Sequence, residues 1–184
     1  MKKLILASSS PRRRELMATA GLDFEIIVKD VDESIPEGTL PVEAAKITAK
    51  KKALAVAYDY PGRIVVGADT IVVAGEKILG KPADKADACA MLRMLSGREH
   101  EVITGVCIVC DGKQEAFAQV SKVKFYDLTD EEIEAYVATN EPMDKAGAYG
   151  IQGRGCTLVE KIEGDYFNIV GLPVAETVRK LKKF

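Results

Sequence analysis

The segment VVGADTIVV, residues 65–73, places a carboxylic acid, Asp69, inside a run that otherwise favours burial on both faces of a sheet. Because an unpaired buried carboxylate is costly, Asp69 is expected to pair with a cation, bind a metal or act as a general base. The other interpretation is a β-bulge at which Asp69 and Thr70 satisfy backbone groups. This segment alone leaves both interpretations open.

The segment SSSPRRR, residues 8–14, indicates the start of a helix with an unusual charge. Ser10 is a good N-cap residue and Pro11 suits the first helical position. Arg12–Arg14 then add positive charge to a helix end that already carries roughly half a positive charge. A phosphate would offset this charge, because free amides, serine hydroxyls and guanidinium groups together bind polyanions. The alternative is a solvated basic helix end.

The segment GEKILGKP, residues 75–82, matches a P-loop except at its last position, where Pro82 replaces serine or threonine. The missing hydroxyl is the magnesium ligand of a P-loop, and proline also removes an amide donor, so a true P-loop is excluded. Lys81, between a glycine and a proline on a predicted loop, remains a candidate phosphate-binding cation.

Two charged residues carry little signal of their own. Lys52 lies on the flank of the apolar stripe of a predicted helix, where lysine stems often cover apolar surface with the ammonium in water. Lys50 and Lys51 point away from this stripe. Glu33, the second charged residue, lies in the loop VDES. The stripe itself is formed by Val42, Ala45, Ala49, Ala53 and Val56.

The segment AGAYGIQGRG, residues 146–155, is rich in glycine and presents the amide of Gln152. Glycines let a backbone approach a ligand closely, and a carboxamide can read the donor and acceptor edge of a base. Glycine-rich loops are also commonly plain turns.

Composition limits the function classes. The chain has 184 residues with 47% hydrophobic and 29% charged content, which fits one globular domain over residues 1–184. Its net charge of −2 excludes the bulk basic field of a nucleic-acid-binding protein. The first apolar stretch covers only Leu4 to Ala7, so we expect no signal sequence, no membrane span and a cytoplasmic protein.

The four cysteines include a CxxC pair, Cys107 and Cys110. In a strand, residues three apart point to opposite faces, which argues against a shared metal or a disulfide. We expect reduced and partly buried thiols.

The pattern of elements predicts an α/β fold with a mixed sheet, because helices are interspersed with hairpins. Predicted strands cover residues 3–6, 24–28, 63–75 with an interruption at GAD, 77–79, 101–110, 114–128 and 156–162. Predicted helices cover residues 11–20, 42–58 and 84–95, followed by one with a Thr129–Glu132 capping box and a last one opened by Pro173.

Five motifs in this order, over essentially the whole chain, resemble the Maf family of nucleoside triphosphate pyrophosphatases: ASSSPRR, VDES, GADT, GKP and YGIQG. The resemblance implies an elongated mixed β-sheet flanked by helices, related to the inosine triphosphate pyrophosphatase-like (Maf/Ham) fold, with a cleft across the sheet. It also implies a homodimer that hydrolyses a nucleoside triphosphate to the monophosphate and pyrophosphate with a divalent cation, magnesium or manganese.

The resemblance also implies roles for single residues. Asp69 becomes the proton acceptor, and Glu33 helps to place the metal. Arg12, Thr70 and Gln152 match the substrate-selecting positions of the branch that resembles dTTP/UTP pyrophosphatases. The residues expected to hold the triphosphate are Ser8, Arg12, Arg13, Lys52 and Lys81.

A second hypothesis is a regulatory protein that senses nucleotide or contacts the division machinery, as the association of this family with septum formation suggests. An acid beside several cations favours the enzyme, since binding alone gains little from a carboxylate near phosphate.

Overall fold

The computed structural model describes residues 4–184 and has an α/β fold with one mixed sheet. Within these residues the strands are β1 Leu4–Leu6, β2 Phe24–Ile26, β3 Ile64–Ala74, β4 Lys77–Leu79, β5 Glu99–Cys110, β6 Lys113–Phe125 and β7 Val159–Glu163. The helices are α1 Pro11–Thr19, α2 Pro41–Ala57, α3 Lys85–Leu95, α4 Asp130–Ala138, α5 Tyr166–Val170 and α6 Val174–Leu181. Short 3-10 helices cover Glu141–Asp144, Ala146–Ala148 and Gly153–Leu158.

The strand order is β2-β1-β3-β5-β6-β7, with β4 paired to β3. β1 is parallel to both β2 and β3, whereas β3 with β4 and β6 with β7 are antiparallel pairs. Asp111 and Gly112, between β5 and β6, both have positive φ, as a two-residue type I′ hairpin turn requires. The prediction of a mixed sheet with helices is therefore confirmed.

The chain divides into two compact units. The first contains the residues up to Thr70 together with Thr104–Gln119 and Gly171–Phe184, and the second contains Ile71–Ile103 and Val120–Val170. The single domain over residues 1–184 stays a prediction.

In the first unit, α2 packs directly on the backbone of two strands. A side chain on Gly105 would put its Cβ 2.3 Å from the Ala45 carbonyl group, and one on Gly67 would come 2.4 Å from the Ala49 oxygen. The glycines of the strands, which face the small residues of the predicted stripe, therefore let the helix approach the sheet. Four of the five stripe residues are fully buried, and Val42 is half-buried.

In the second unit, three rings pack edge to face: His100, Phe125 and Tyr149. His100 is buried, and its Nε2 lies 2.7 Å from the Tyr149 hydroxyl. Burial lowers the pKa of His100 to about 4, so the ring is neutral at neutral pH.

The structure differs from the predicted elements at several boundaries. β3 runs through GAD without the expected interruption, and β7 begins at Val159 because the preceding residues form a 3-10 helix. α5 was not predicted at all, since its five residues are too few for a periodic pattern. Ser10 is the N-cap residue as expected, but its side chain makes no capping hydrogen bond. The first predicted strand begins at Lys3, which lies outside the described residues.

All four cysteines are free, as predicted, but their burial differs from the expectation. Cys107 and Cys110 are fully buried, whereas Cys156 is exposed. Burial raises the pKa of the Cys107 thiol to about 11, so it stays protonated. Among residues 4–184, no helix has the length and apolar character that crossing a membrane requires.

Candidate active site

A lysine between two carboxylates forms the charged part of the candidate site in the first unit. Lys52 Nζ donates to Asp69 Oδ1 at 2.8 Å and lies 3.1 Å from Glu33 Oε1. The Lys52 and Asp69 side chains are 19% and 17% exposed, so this ion pair is shielded yet reachable from solvent. Asp69 is thus paired with a cation, one of the alternatives that its sequence context left open.

The packing of α2 on β3 explains why this pair forms. Gly67 faces α2, and Asp69, two residues further along the strand, points to the same face. Lys52 is three residues after Ala49 on the helix, and residues three apart lie on neighbouring positions of one helix face. The close approach at Gly67 therefore brings the Lys52 ammonium to the Asp69 carboxylate.

The loop that carries Glu33 is held by a residue that the sequence did not indicate. Lys51 Nζ donates to the carbonyl oxygens of Asp32 at 2.9 Å and Ser34 at 2.8 Å, one on each side of Glu33. Asp32 also accepts from the Ser34 hydroxyl and amide, and these bonds lower the pKa of the Asp32 carboxyl. Both lysines therefore hold this loop. Lys51 binds its backbone carbonyls, and Lys52 pairs with the Glu33 carboxylate.

Arg13 connects three segments of the first unit. Its guanidinium donates to the Gly171 carbonyl at 2.8 Å, to Ser8 Oγ at 3.0 Å and to Thr70 Oγ1 at 2.9 Å. The residue is 8% exposed, and burial lowers its pKa while the nearby Asp69 carboxylate opposes that shift. These bonds use three of the five N–H groups of a guanidinium, so two remain for an anion.

Ser8 is set up as a hydrogen-bond donor. Its oxygen accepts from the Arg13 guanidinium at 3.0 Å and from the Ser10 amide at 3.3 Å. Both lone pairs of the hydroxyl are then occupied, which directs its own proton to a further acceptor such as a phosphate oxygen. Thr70 also accepts from Arg13, and its oxygen lies 2.9 Å from Thr104 Oγ1.

The structure brings together six of the predicted site residues in the first unit: Ser8, Arg13, Glu33, Lys52, Asp69 and Thr70. Arg12 is half-buried beside them in the first turn of α1. Lys81 and Gln152 belong to the second unit, and both are exposed.

The residues that hold the predicted site residues in place carry weaker sequence signals. Thr104 is a polar residue in the apolar run of β5, which could have marked it. Gly171 acts through its carbonyl oxygen and Lys51 resembles any surface lysine, so neither could be found from its residue type.

The carboxylates suit a hard divalent cation. Magnesium is commonly held by one or two carboxylates together with substrate phosphates rather than by an all-protein cage. Glu33 and Asp69 supply two such groups, and both carboxylates contact the Lys52 ammonium. Among residues 4–184, no group of three or more histidine, cysteine, aspartate or glutamate residues is arranged to hold a metal. One or two carboxylates fit a cation whose remaining ligands are substrate phosphates.

Comparison with known proteins gives full-length matches. The family model described as Maf-like protein matches residues 3–184. The dTTP/UTP pyrophosphatase of Geobacillus sp. strain WCH70 is 56% identical over 183 residues, covering 100% of this chain and 98% of that protein. The protein of the same name from Bacillus anthracis strain CDC 684 / NRRL 3495 is 52% identical over 184 residues, covering 100% and 96%.

Among solved structures, a HAM1 protein from Coxiella burnetii matches with a TM-score of 0.52 and covers 100% of both chains. Its sequence is 14% identical, so the likeness is one of fold. This match agrees with the expected Maf/Ham fold.

Proposed function

The chain belongs to the Maf-like protein family, and on this basis we propose that it hydrolyses dTTP and UTP to the nucleoside monophosphate and pyrophosphate. The family membership predicted from five short motifs is confirmed over residues 3–184. Relatives at 52–56% identity that are named for this activity support the hydrolase over the nucleotide-sensing alternative.

The observation that carries the proposal is the Asp69–Lys52 ion pair beside the bonded group of Arg13, Ser8 and Thr70. A shielded carboxylate, two cations and a hydroxyl whose proton points away from its neighbours are the groups that phosphoryl transfer requires.

In the proposed reaction, water attacks the α-phosphorus, and the bond from this phosphorus to the α,β-bridging oxygen breaks. The water loses a proton, for which Asp69 is the acceptor, and the electron pair of the broken bond leaves with pyrophosphate. Negative charge grows on the leaving group, and Arg12, Arg13 and Lys81 are the proposed cations that stabilise it. Ser8 donates a hydrogen bond to a phosphate oxygen.

Lys52 has a second proposed task in this scheme. Its bond to Asp69 Oδ1 holds this carboxylate in one orientation towards the attacking water. The same ammonium holds Glu33 within reach of the site.

We further propose that Glu33 helps to hold a divalent cation, magnesium or manganese, with substrate phosphates as its other ligands. When bound, such a cation neutralises part of the triphosphate charge. Glu33 is the more exposed carboxylate, which leaves it accessible to a cation that enters with the nucleotide.

The base is proposed to be read by Gln152. Thymine and uracil share an acceptor, donor, acceptor edge, and a carboxamide offers both a donor and an acceptor to it. Cytosine reverses this polarity at N3 and at its exocyclic amine, so a fixed amide would leave polar atoms unpaired.

A homodimer and a cytoplasmic location, where free nucleotides occur, remain part of this proposal.

The experiment is a phosphate-release assay with added inorganic pyrophosphatase over all common and modified nucleoside triphosphates. We expect turnover with dTTP and UTP above that with CTP and purine nucleotides, and dependence on added magnesium or manganese. Binding of dTTP without release of pyrophosphate would refute the hydrolase and favour a sensing protein.

A further inference from the structure

The loop that presents Gln152 is tied to one half-buried carboxylate, that of Glu141. We define the Gln152 loop as residues 150–155. Glu141 accepts hydrogen bonds from the Arg154 amide at 3.0 Å and the Gly155 amide at 3.1 Å, one through each of its oxygens. Tyr136 Oη donates to Glu141 at 3.0 Å and accepts from the Gly150 amide at 3.2 Å. Glu141 and Tyr136 therefore hold both ends of the loop.

The glycines of the Gln152 loop allow it to lie close to Glu141 and Tyr136. A Cβ on Gly155 would lie 2.1 Å from the Gly150 oxygen and 2.8 Å from Tyr136 Oη. A Cβ on Gly153 would lie 2.7 Å from Glu141 Oε2, and this glycine has φ near +65°. The glycine spacing thus lets the loop approach Glu141 and Tyr136, which is a different reason from the close approach to a ligand that the sequence suggested.

The hydrogen bonds that hold the Gln152 loop also favour the ionised form of Glu141. Burial alone would raise its pKa, but the amides of Arg154 and Gly155 and the Tyr136 hydroxyl outweigh it and lower the pKa of the carboxyl. An ionised carboxylate with donors on both oxygens is a stronger anchor than a neutral acceptor. Gln152 is exposed and is not one of the residues that bond to Glu141 or Tyr136. Its amide can therefore face a ligand.

We propose that Glu141 is a positioning residue for base selection: its carboxylate, with Tyr136, fixes the backbone of the Gln152 loop so that the Gln152 side chain meets the base from one position. This inference rests on the proposed function of Gln152. A mobile loop could shift and bring the Gln152 amide to cytosine in another register, whereas a fixed loop keeps the amide at the position that suits thymine and uracil. Selectivity then depends on a residue that touches no substrate.

The test replaces Glu141 with glutamine, which keeps the shape but turns one acceptor into a donor that faces a backbone amide. We expect faster hydrogen exchange at the amides of the Gln152 loop and a UTP-to-CTP ratio of kcat/KM that falls at least about tenfold, the equivalent of roughly 1.4 kcal/mol. The loss should appear mainly as a higher KM for UTP. Glu134→Gln, the same change at an exposed position of α4, is the matched control and should alter neither readout.

The Tyr136→Phe variant keeps the ring and removes the hydroxyl that joins Gly150 to Glu141, so it should give a smaller fall in the ratio. It also keeps the test decisive if Glu141→Gln does not fold. Adding Glu141→Gln to Gln152→Ala should lower the ratio no further than Gln152→Ala alone, since both act on one contact.

The outcomes separate this inference from the proposed function. A wild-type ratio in both Glu141→Gln and Tyr136→Phe, with a lowered ratio in Gln152→Ala, would overturn the positioning role and leave base reading by Gln152 in place. An unchanged ratio in Gln152→Ala would overturn base reading itself, and the positioning role with it.

Discussion

Replacing Arg13 with lysine should destabilise the protein before any nucleotide binds. The guanidinium reaches three acceptors in different directions, Gly171, Ser8 and Thr70, and two of these bonds are buried. An ammonium keeps the charge but has one nitrogen, so it can keep only one of these three contacts in the same geometry. Two bonds from a charged group are then lost, and at about 1.5–3 kcal/mol each the free energy of unfolding should fall by about 3–6 kcal/mol.

The assay is thermal and urea unfolding of the protein without ligand. For a chain of this size, about 2–4 °C of Tm corresponds to each kcal/mol, so Arg13→Lys should lower Tm by about 6 °C or more. Arg14→Lys is the matched control, because Arg14 is exposed on the same turn of α1. A Tm of Arg13→Lys within about 2 °C of the wild type would refute the reasoning.

Nucleotide binding by the same variant tests whether Arg13 also contacts phosphate. If its two other N–H groups meet phosphate, Arg13→Lys and Arg13→Ala should weaken binding of a non-hydrolysable triphosphate far more than binding of the nucleoside. Calorimetry that shows equal losses for both ligands would leave Arg13 as a structural residue alone.

Asp69→Asn should keep the fold and lower kcat by about 100-fold or more, since general-base catalysis contributes about 10²–10⁴-fold; a phosphate-release assay with wild-type turnover would exclude Asp69 from the reaction. Gly105→Ala should cost about 1–3 kcal/mol in urea unfolding because its Cβ meets the Ala45 backbone, whereas Gly80→Ala, with open space around its Cβ, should stay within about 0.5 kcal/mol. The pKa of His100 is about 4 in the folded protein and 6.5 in the unfolded chain, so unfolding binds a proton as pH falls through this range. Stability should therefore be full above pH 6.5 and fall by up to about 3 kcal/mol towards pH 4, and His100→Leu should remove this part of the pH dependence in urea unfolding.

The sequence was informative where local chemistry stands out against its surroundings. Asp69 interrupts an apolar strand and Arg13 opposes a helix dipole, and both are found at the candidate site. Ser10 illustrates the limit, because the cap position was predicted correctly while its side chain makes no capping bond. Local propensity places an element, but the partner of a side chain depends on segments far away in the chain.

Partners that are distant in sequence explain what the sequence could not indicate. The Gly171 carbonyl accepts from Arg13 across 158 positions, and no residue type predicts a backbone acceptor. Lys51 and Lys52 are neighbours of the same type, yet one binds loop carbonyls and the other a carboxylate. The difference arises from the direction in which each side chain leaves α2, and this follows from packing at Gly67.

Arg13 and Glu141 use the same physical device in different units of the chain. Each is a charged group with several neutral hydrogen-bond partners, Arg13 donating to three oxygens and Glu141 accepting from two amides and a hydroxyl. Such a group holds loops and strand ends in place because each bond to a charge is stronger than a neutral one. A loss of activity on replacing either residue therefore does not by itself assign a contact with substrate. The stability of the ligand-free variant must be measured first, since a structural role lowers it and a purely ligand-binding role does not.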